Sequence, residues 1–424
     1  MKIKALRGTQ DLFSPVIEKW RDVETVVRDI FKVYGFKEIR TPLLEETILF
    51  TRAIGETTDL VEKQMYSFTD RGERIMSLRP EGTAPVIRAY LEHHLDQSPG
   101  THRLFYIGPM FRAERPQAGR SRQFHQIGGE IIGSHDAHVD AEILSFIVHF
   151  FDRLGLSGHI LHLNSLGCDK DKKEVSLFLE KALAKEKNSL CADCQRRLDR
   201  NVYRILDCKV EGCRAVVKKL PPLLEKLCQA CLAHFEVLKK TLALLKIGFV
   251  ISPHLVRVLD YYTRTTFEIT HSLLGAQDAI GAGGRYDGLV ETLGGEPTGA
   301  IGFSIGFERL LLALEAQKID VGRNDPLEVF IATIGEKTVD AAFEILNELR
   351  KAGISSLLDY EGKSLKAQMR LADHLKAKKV LLVGEDELKE KSVTLREMES
   401  GHEEKLPRGR LVEELSQWAT KEKK

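Results

Sequence analysis

The sequence predicts an α+β body interrupted by an inserted segment and followed by a separate α/β domain, and three observations carry that reading. Amphipathic helical runs flank short β-prone runs in the first half, a cysteine-rich basic stretch breaks the pattern, and strand and helix alternate regularly after residue 326. With 424 residues, 43% apolar and 29% charged, the chain is long enough for two or three domains and too apolar for a disordered one. Lys plus Arg is 63 against 62 for Asp plus Glu, so the net charge favours no nucleic-acid partner and any such partner must be argued locally. Nothing approaches the ~18 uninterrupted apolar residues of a membrane span and the first residues lack a leader pattern, so a cytoplasmic location and no membrane partner are expected.

Each element follows in order. Ile17, Trp20, Val23, Val27, Ile30 and Phe31 recur at helical spacing after Pro15 and predict a helix ending at Tyr34-Gly35; Ile143, Phe146, Ile147, Phe150, Phe151 and Leu154 predict a second over 139–154. Between them, Leu104–Ile107 and Gln126–Ile132 read as strands joined by a polar loop, and further strands fall at 159–163 and 265–270. Residues 185–240 hold six of the seven cysteines and carry 13 Lys plus Arg against 7 Asp plus Glu, a local excess of +6. From Gly275 to Gly306 there are ten glycines in 32 residues, interleaved with apolar residues, as strands and turns that let a ligand approach the backbone would be. A boundary is expected at Arg323-Asn324-Asp325-Pro326. Beyond it come strands at Val329–Ala332, Ser355–Leu358 and Val380–Val383, with helices over 337–351 and 364–376.

Common nucleotide signatures are absent. Gly362-Lys363-Ser364 ends like a phosphate loop, but Leu357 stands where its first glycine belongs, and Gly281-Ala282-Gly283-Gly284 lacks the spacing of a dinucleotide fingerprint. Residues 108–130 say more. Arg112, Arg115, Arg120 and Arg122 fall within eleven residues of a strand–loop–strand pattern; the planar fork of Arg112, closing the first strand, suits a phosphate, and the loop arginines suit a polyanion. A solvated hairpin would account for the charges alone. Cys191-x2-Cys194 and Cys228-x2-Cys231, with Cys208 and Cys213 between, have the paired spacing of a structural zinc site, while reduced free thiols are the bland reading.

Arg112-Ala113-Glu114-Arg115-Pro116-Gln117-Ala118-Gly119-Arg120, followed by Arg122-Gln123-Phe124-His125-Gln126, resembles motif 2 of the class II aminoacyl-tRNA synthetases in the form found in the histidyl-tRNA synthetase family. Leu78-Arg79-Pro80-Glu81-Gly82-Thr83 resembles the family's amino-acid-binding loop, Leu255–Thr265 with Arg257 and Leu259-Asp260-Tyr261-Tyr262 its histidyl signature, and Gly302–Leu310 its motif 3. One departure is Val258, where the signature has glycine. The resemblance spans essentially the whole chain. It implies a catalytic body built on a mixed, mainly antiparallel sheet flanked by helices, in two parts (1–167 and 246–322), an inserted basic domain (168–245) and an anticodon-binding domain (326–424).

The implied activity is ATP-dependent activation of histidine to its adenylate and transfer to the 3′ end of histidine tRNA, with Mg²⁺ accompanying ATP and the protein acting as a homodimer whose interface lies near the segment after Arg7. Implied roles are the α-phosphate for Arg112, the γ-phosphate for Arg309, and charge developing at the reacting centre for Arg257. Glu81, Gly82, Thr83 and Gln126 would take the α-amino end of histidine; Glu130, Tyr262 and Tyr286 would surround the imidazole, with Tyr261 lining the pocket. Arg115, Gln117, Arg120 and Arg122 would face tRNA, with Tyr360, Lys366 and Gln368 as anticodon-side candidates. The resemblance requires no metal at the cysteines. A non-catalytic histidine-binding regulatory paralog is the competing reading, marked by loss of the arginines and of the last domain; here all are present.

Overall fold

A computed structural model describes residues 3–117, 119–257, 259–322 and 326–422; Val258 and the expected boundary at 323–325 lie outside the described residues. The chain forms two compact units, residues 1–322 and 323–424.

The first unit is built on an eight-stranded sheet of β1 (Lys37–Glu38), β2 (His102–Phe111), β3 (Gln123–Ile132), β4 (His159–Ser165), β5 (Val250–Ile251), β6 (Thr263–His271), β7 (Ala279–Arg285) and β8 (Ala300–Gly306), in the order β1-β2-β3-β8-β7-β6-β4-β5. The inner pairings are all antiparallel, and only the two-residue edge strands β1 and β5 pair in parallel. The sheet is therefore mixed and mainly antiparallel, as expected.

Alternation along the strands sorts residues onto two unlike faces. Phe105, Ile127, Ile131, Leu161, Leu163, Phe267, Ile269, Ile301, Phe303 and Ile305 form one face and belong to a single apolar core. The helices Val16–Val33, Ala137–Leu154 and Phe307–Ala316 cover it, with Phe31 stacked 4.1 Å from Phe105. The first two are the helices that periodicity predicts; Gly35 and Gly155, both at positive φ, follow their ends. The other face is different. Opposite Gly128 stand Tyr106 and Ser304, and opposite Glu130 stand Leu104 and Gly302, so small and polar residues floor an open surface there.

A smaller sheet of Leu44–Glu46, Tyr66–Thr69 and Ile75–Leu78 stands beside that surface. From it Arg79 crosses back, its Nε donating to Pro109 O at 2.9 Å and its Nη1 to Thr41 O at 3.0 Å. Those bonds fix Glu81 and Thr83 over the sheet, at the start of the helix Thr83–Glu92.

The cysteine-rich segment is short helices around an apolar cluster that includes Val175, Leu179, Leu183, Cys194, Ile205 and Cys213. The expected grouping of Cys191, Cys194, Cys228 and Cys231 is corrected. Cys191 and Cys194 converge with Cys208 and Cys213, whereas Cys228 and Cys231 converge with Cys168 and Asp171. The reason is local. Each C-x2-C pair opens its own helix, Ala192–Arg197 or Gln229–Leu244, and those helix starts lie in separate clusters.

The second unit has a five-stranded sheet in the order Ser356–Leu358, Val329–Ile334, Lys379–Gly384, Ser392–Glu397, Glu403–Pro407. The first three strands are parallel, with helices Val339–Lys351 and Leu365–His374 as crossovers. The last two, an antiparallel hairpin, escape the sequence reading because charged residues interrupt their alternation at Arg396, Glu404 and Lys405. Gln368 is also corrected. It is fully buried, its amide donating to Thr333 O and Lys363 O while its oxygen accepts from Thr333 N, so it ties a helix to a strand and offers nothing to tRNA. Tyr360 and Lys366 are exposed.

Candidate active site

The open face of the sheet forms the floor of a cleft lined from both its strands and the smaller sheet's loop. Of the residues expected from sequence, Glu81, Thr83, Arg112, Arg120, Gln126, Arg257, Tyr261, Tyr262, Tyr286 and Arg309 line it. Gly82 and Glu130 sit behind the wall, and Arg115, Gln117 and Arg122 lie off it.

One end of the cleft is a closed polar network. Glu130, wholly buried, accepts from Thr83 Oγ1 at 2.8 Å and from Tyr286 Oη at 2.5 Å. Burial pushes its carboxyl up to about 8, against the opposing pull of those hydroxyls. When Glu130 is ionised both hydroxyl protons point at it, and the oxygen lone pairs of Thr83 and Tyr286 are left as acceptors. Gln126 adds another: its Nε2 meets Ser304 Oγ at 3.4 Å and its buried Oε1 has no partner among the described residues. Glu81 accepts from the amides of Thr83 and Ala84 at 2.6 and 2.8 Å, which satisfies the start of the helix and leaves a buried carboxyl beside the pocket, raised by that burial. Tyr261 stands edge-on to Tyr286 at 5.7 Å.

Close approach explains two glycines. A Cβ on Gly302 would stand 1.6 Å from Glu130 Oε2, and one on Gly128 would stand 2.2 Å from the Tyr106 ring. Tyr106 itself, buried in the cleft wall, was not foreseen; the glycines against which its ring lies were the available signal. Arg285 was missed as well. It is fully buried, donating to Asp140 Oδ1 at 2.7 Å and to the carbonyls of Ser134 and Asp136, and so anchors the strand end that presents Tyr286.

The other end is cationic. Arg112 Nε donates to Pro80 O at 2.9 Å while its guanidinium lies 5.1 Å from the centre of the Phe124 ring. Arg309 donates to Gly119 O at 2.9 Å and Ala279 O at 2.7 Å. Arg257 Nη1 pairs with Glu268 Oε1 at 3.0 Å, a partner the sequence did not reveal, and its buried Nε has none among the described residues. Burial pulls Arg112 and Arg309 below the ordinary arginine value. Cations held this way in a partly desolvated site call for an anion. Above them the β2–β3 loop turns tightly, Gln117 and Arg120 exchanging backbone hydrogen bonds and Arg120 pairing with Glu114, with Arg115 and Gln117 exposed. Arg122 donates its amide to Gly8 O at 2.8 Å, tying the loop base to the N-terminal segment.

A mainly antiparallel sheet whose open face carries acceptors at one end and half-buried arginines at the other defines a class II aminoacyl-tRNA synthetase. A family model described as histidyl-tRNA synthetase matches residues 8–310, and one described as anticodon binding domain matches 328–418. Proteins named histidine–tRNA ligase from Halothermothrix orenii and Desulforudis audaxviator are 47% and 49% identical over 415 residues, 98% of this chain and 99% of each relative. The crystal structure of apo histidyl-tRNA synthetase from S. aureus superposes with a TM-score of 0.83 at 36% identity, over 98% of this chain and all of that one. The chain belongs to the histidyl-tRNA synthetase family.

Proposed function

We propose that the cleft activates histidine with ATP and passes the acyl group to histidine tRNA, the activity of a histidine–tRNA ligase. The observation that carries the reading is the complementarity of its two ends. Thr83, Tyr286 and Gln126 present acceptors, matching the N–H donors of an imidazole and an α-ammonium group, and Glu81 adds a carboxylate for that ammonium. A site built to hydrogen-bond these groups rejects side chains that lack them, because its own polar atoms would be left unpaired. Glu130 acts through its neighbours: it turns the hydroxyls of Thr83 and Tyr286 so that their lone pairs face the ligand.

At the cationic end Arg112 takes the α-phosphate, Arg309 the γ-phosphate, and Arg257 the charge that grows as the histidine carboxylate attacks the α-phosphorus and pyrophosphate leaves. No triad is needed, because positioning and charge stabilisation are what this step demands. Glu114 and Glu308 in the cleft wall would hold the Mg²⁺ that accompanies ATP, and the ion would supply positive charge against the pyrophosphate. Arg115, Gln117, Arg120 and Arg122 meet the acceptor end of tRNA, and residues 326–424 its anticodon. The regulatory reading fails to account for the retained arginines and the anticodon-binding match.

The protein works as a homodimer in the cytoplasm. Ile3, Leu6 and Phe13 stand 99%, 75% and 72% exposed near the segment after Arg7, an apolar strip that a second copy would cover. Sedimentation of a monomer at working concentration would remove that part of the reading. Exchange of pyrophosphate into ATP, measured with each standard amino acid and no tRNA, tests the whole. Exchange with histidine alone is expected; exchange with another amino acid would overturn the pocket, and none despite histidine binding would restore the regulatory reading.

A further inference from the structure

We propose that Cys191, Cys194, Cys208 and Cys213 form a tetrathiolate site for one zinc ion that holds residues 191–213 against the back of the cleft, and that the neighbouring Cys168–Asp171–Cys228–Cys231 cluster binds none. The metal site stands independently of the roles assigned in the cleft, and its effect on histidine KM rests on them.

The geometry is that of a closed tetrahedral site. All four sulfurs lie within 4.8 Å of one another, and Cys191 Sγ is 3.9 Å from Cys208 Sγ. Zinc–sulfur bonds of about 2.3 Å place ligands of a tetrahedron about 3.8 Å apart, so only small side-chain adjustments separate this cluster from a filled one. The ligands come from distinct places: the start of the helix Ala192–Arg197, the turn after Tyr203–Leu206, and the helix Glu211–Val217. The Cys191 amide already donates to Cys213 Sγ at 3.2 Å, a bond that suits a thiolate acceptor. Two of the four sulfurs are buried and the others partly so, and all seven cysteines are free. Two units of net negative charge on a zinc tetrathiolate are met by the local excess of +6, with Arg197 on the same helix as Cys194.

The segment also needs a cross-link. Its helices have six, four and seven residues, each too short to persist on its own. Yet residues between the ligands make directed contacts. Arg197 and Arg204 reach Asp59 at 2.6 and 2.9 Å, and Asn201 Nδ2 meets both oxygens of Asp260 at 3.0 Å. Asp260 precedes Tyr261 and Tyr262 in the histidine pocket. A metal clamp at one end of this segment thereby steadies the pocket from behind.

The second cluster differs in what already occupies it. Asp171 Oδ1 accepts from Cys228 N at 3.0 Å and Oδ2 from Cys168 N at 3.3 Å, so the carboxylate serves two helix starts as a hydrogen-bond hub. Pulling it onto a cation would strip acceptors from those amides. Four soft thiolates, by contrast, favour zinc over harder ions.

The test uses the full-length protein expressed with zinc and purified reduced, without chelator. Metal analysis should give one zinc per chain. Cys208→Ser and Cys213→Ser should lose it, Cys231→Ser should keep it, and a histidine KM raised severalfold should accompany loss. Since the serine variants can misfold, the unmodified protein supplies a second readout: a mercurial reagent should release its zinc as four slow thiols react, and cobalt(II) should replace the ion with the charge-transfer and d–d bands of a tetrahedral tetrathiolate. Less than half an equivalent of zinc with seven freely reactive thiols, a disulfide among the four, iron in place of zinc, two zinc ions per chain, or loss from Cys231→Ser with retention in Cys208→Ser would each overturn the proposal.

Discussion

The two ends of the cleft are built on opposite principles. At the acceptor end both carboxyls are tied to neighbours inside the protein: Glu130 to Thr83 and Tyr286, Glu81 to two helix amides. At the cationic end each arginine is fixed by backbone carbonyls or by Glu268 and lines the cleft. The first arrangement discriminates, because a ligand of the wrong shape or polarity leaves a closed network unsatisfied. In the proposed reaction the second stabilises, because fixed cations in a partly enclosed site meet charge as it develops without reorganising. On that assignment specificity and rate are separable along a single sheet face.

Four substitutions would break or sharpen that contrast. The largest effect is expected from Arg257→Ala, which should lower histidine-dependent pyrophosphate exchange about a thousandfold while leaving histidine binding, read by calorimetry, largely intact; equal loss of both would place Arg257 at the discriminating end. Next is Gly302→Ala, whose methyl would strike the Glu130 carboxyl. Displacing that group by even ~1 Å should cost about a hundredfold in kcat/KM for histidine, with ATP affinity unchanged in equilibrium dialysis, and a matching loss of ATP affinity would show the two ends to be coupled.

Glu130→Gln should raise the KM for histidine severalfold, the scale of one lost hydrogen bond, and it also carries a pH signature. The carboxyl is raised from 4.5 to about 8 by burial, so the folded protein holds its proton more tightly than the unfolded chain. Its contribution to stability is fully present below about 4.5, is lost as pH rises through about 8, and is constant above that. Denaturant unfolding should therefore find Glu130→Gln gaining on the parent protein between those limits and level beyond; a difference independent of pH would show that Glu130 does not titrate as described. The smallest effect belongs to Arg115→Ala, on the exposed part of the loop and off the cleft. It should leave exchange unchanged, weaken tRNA binding severalfold and reduce the salt slope of that binding by about one, and an unchanged slope would remove the loop from the tRNA surface.

Much of this was legible because it is periodic or contiguous. The runs of Val23, Val27, Ile30 and Ile143, Ile147, Phe150 specify helices with an apolar stripe, and the glycine-rich strands mark where backbone must be approached closely. Arg112, Arg257 and Arg309 could be singled out because each sits in a local motif. Tyr106 and Arg285 could not: an aromatic in an apolar strand and an arginine beside glycines have no pattern of their own, and only the opposed strand shows what they touch. The C-terminal hairpin failed for a related reason, since charge at Arg396, Glu404 and Lys405 is tolerated on a half-exposed edge that sequence alone does not locate.

By itself the sequence determined the period of each element, the order of the motifs along the chain and the residue types available to the site. Tertiary structure alone decided that Glu130 stands behind Thr83 and Tyr286, that Glu268 braces Arg257, and that the cysteines sort into clusters which divide the two C-x2-C pairs. The reason is physical. Period and helix starts are governed by interactions among residues a few positions apart, whereas partners separated by 11 to 156 positions, such as Arg257–Glu268 and Glu130–Tyr286, are chosen by how the layers pack.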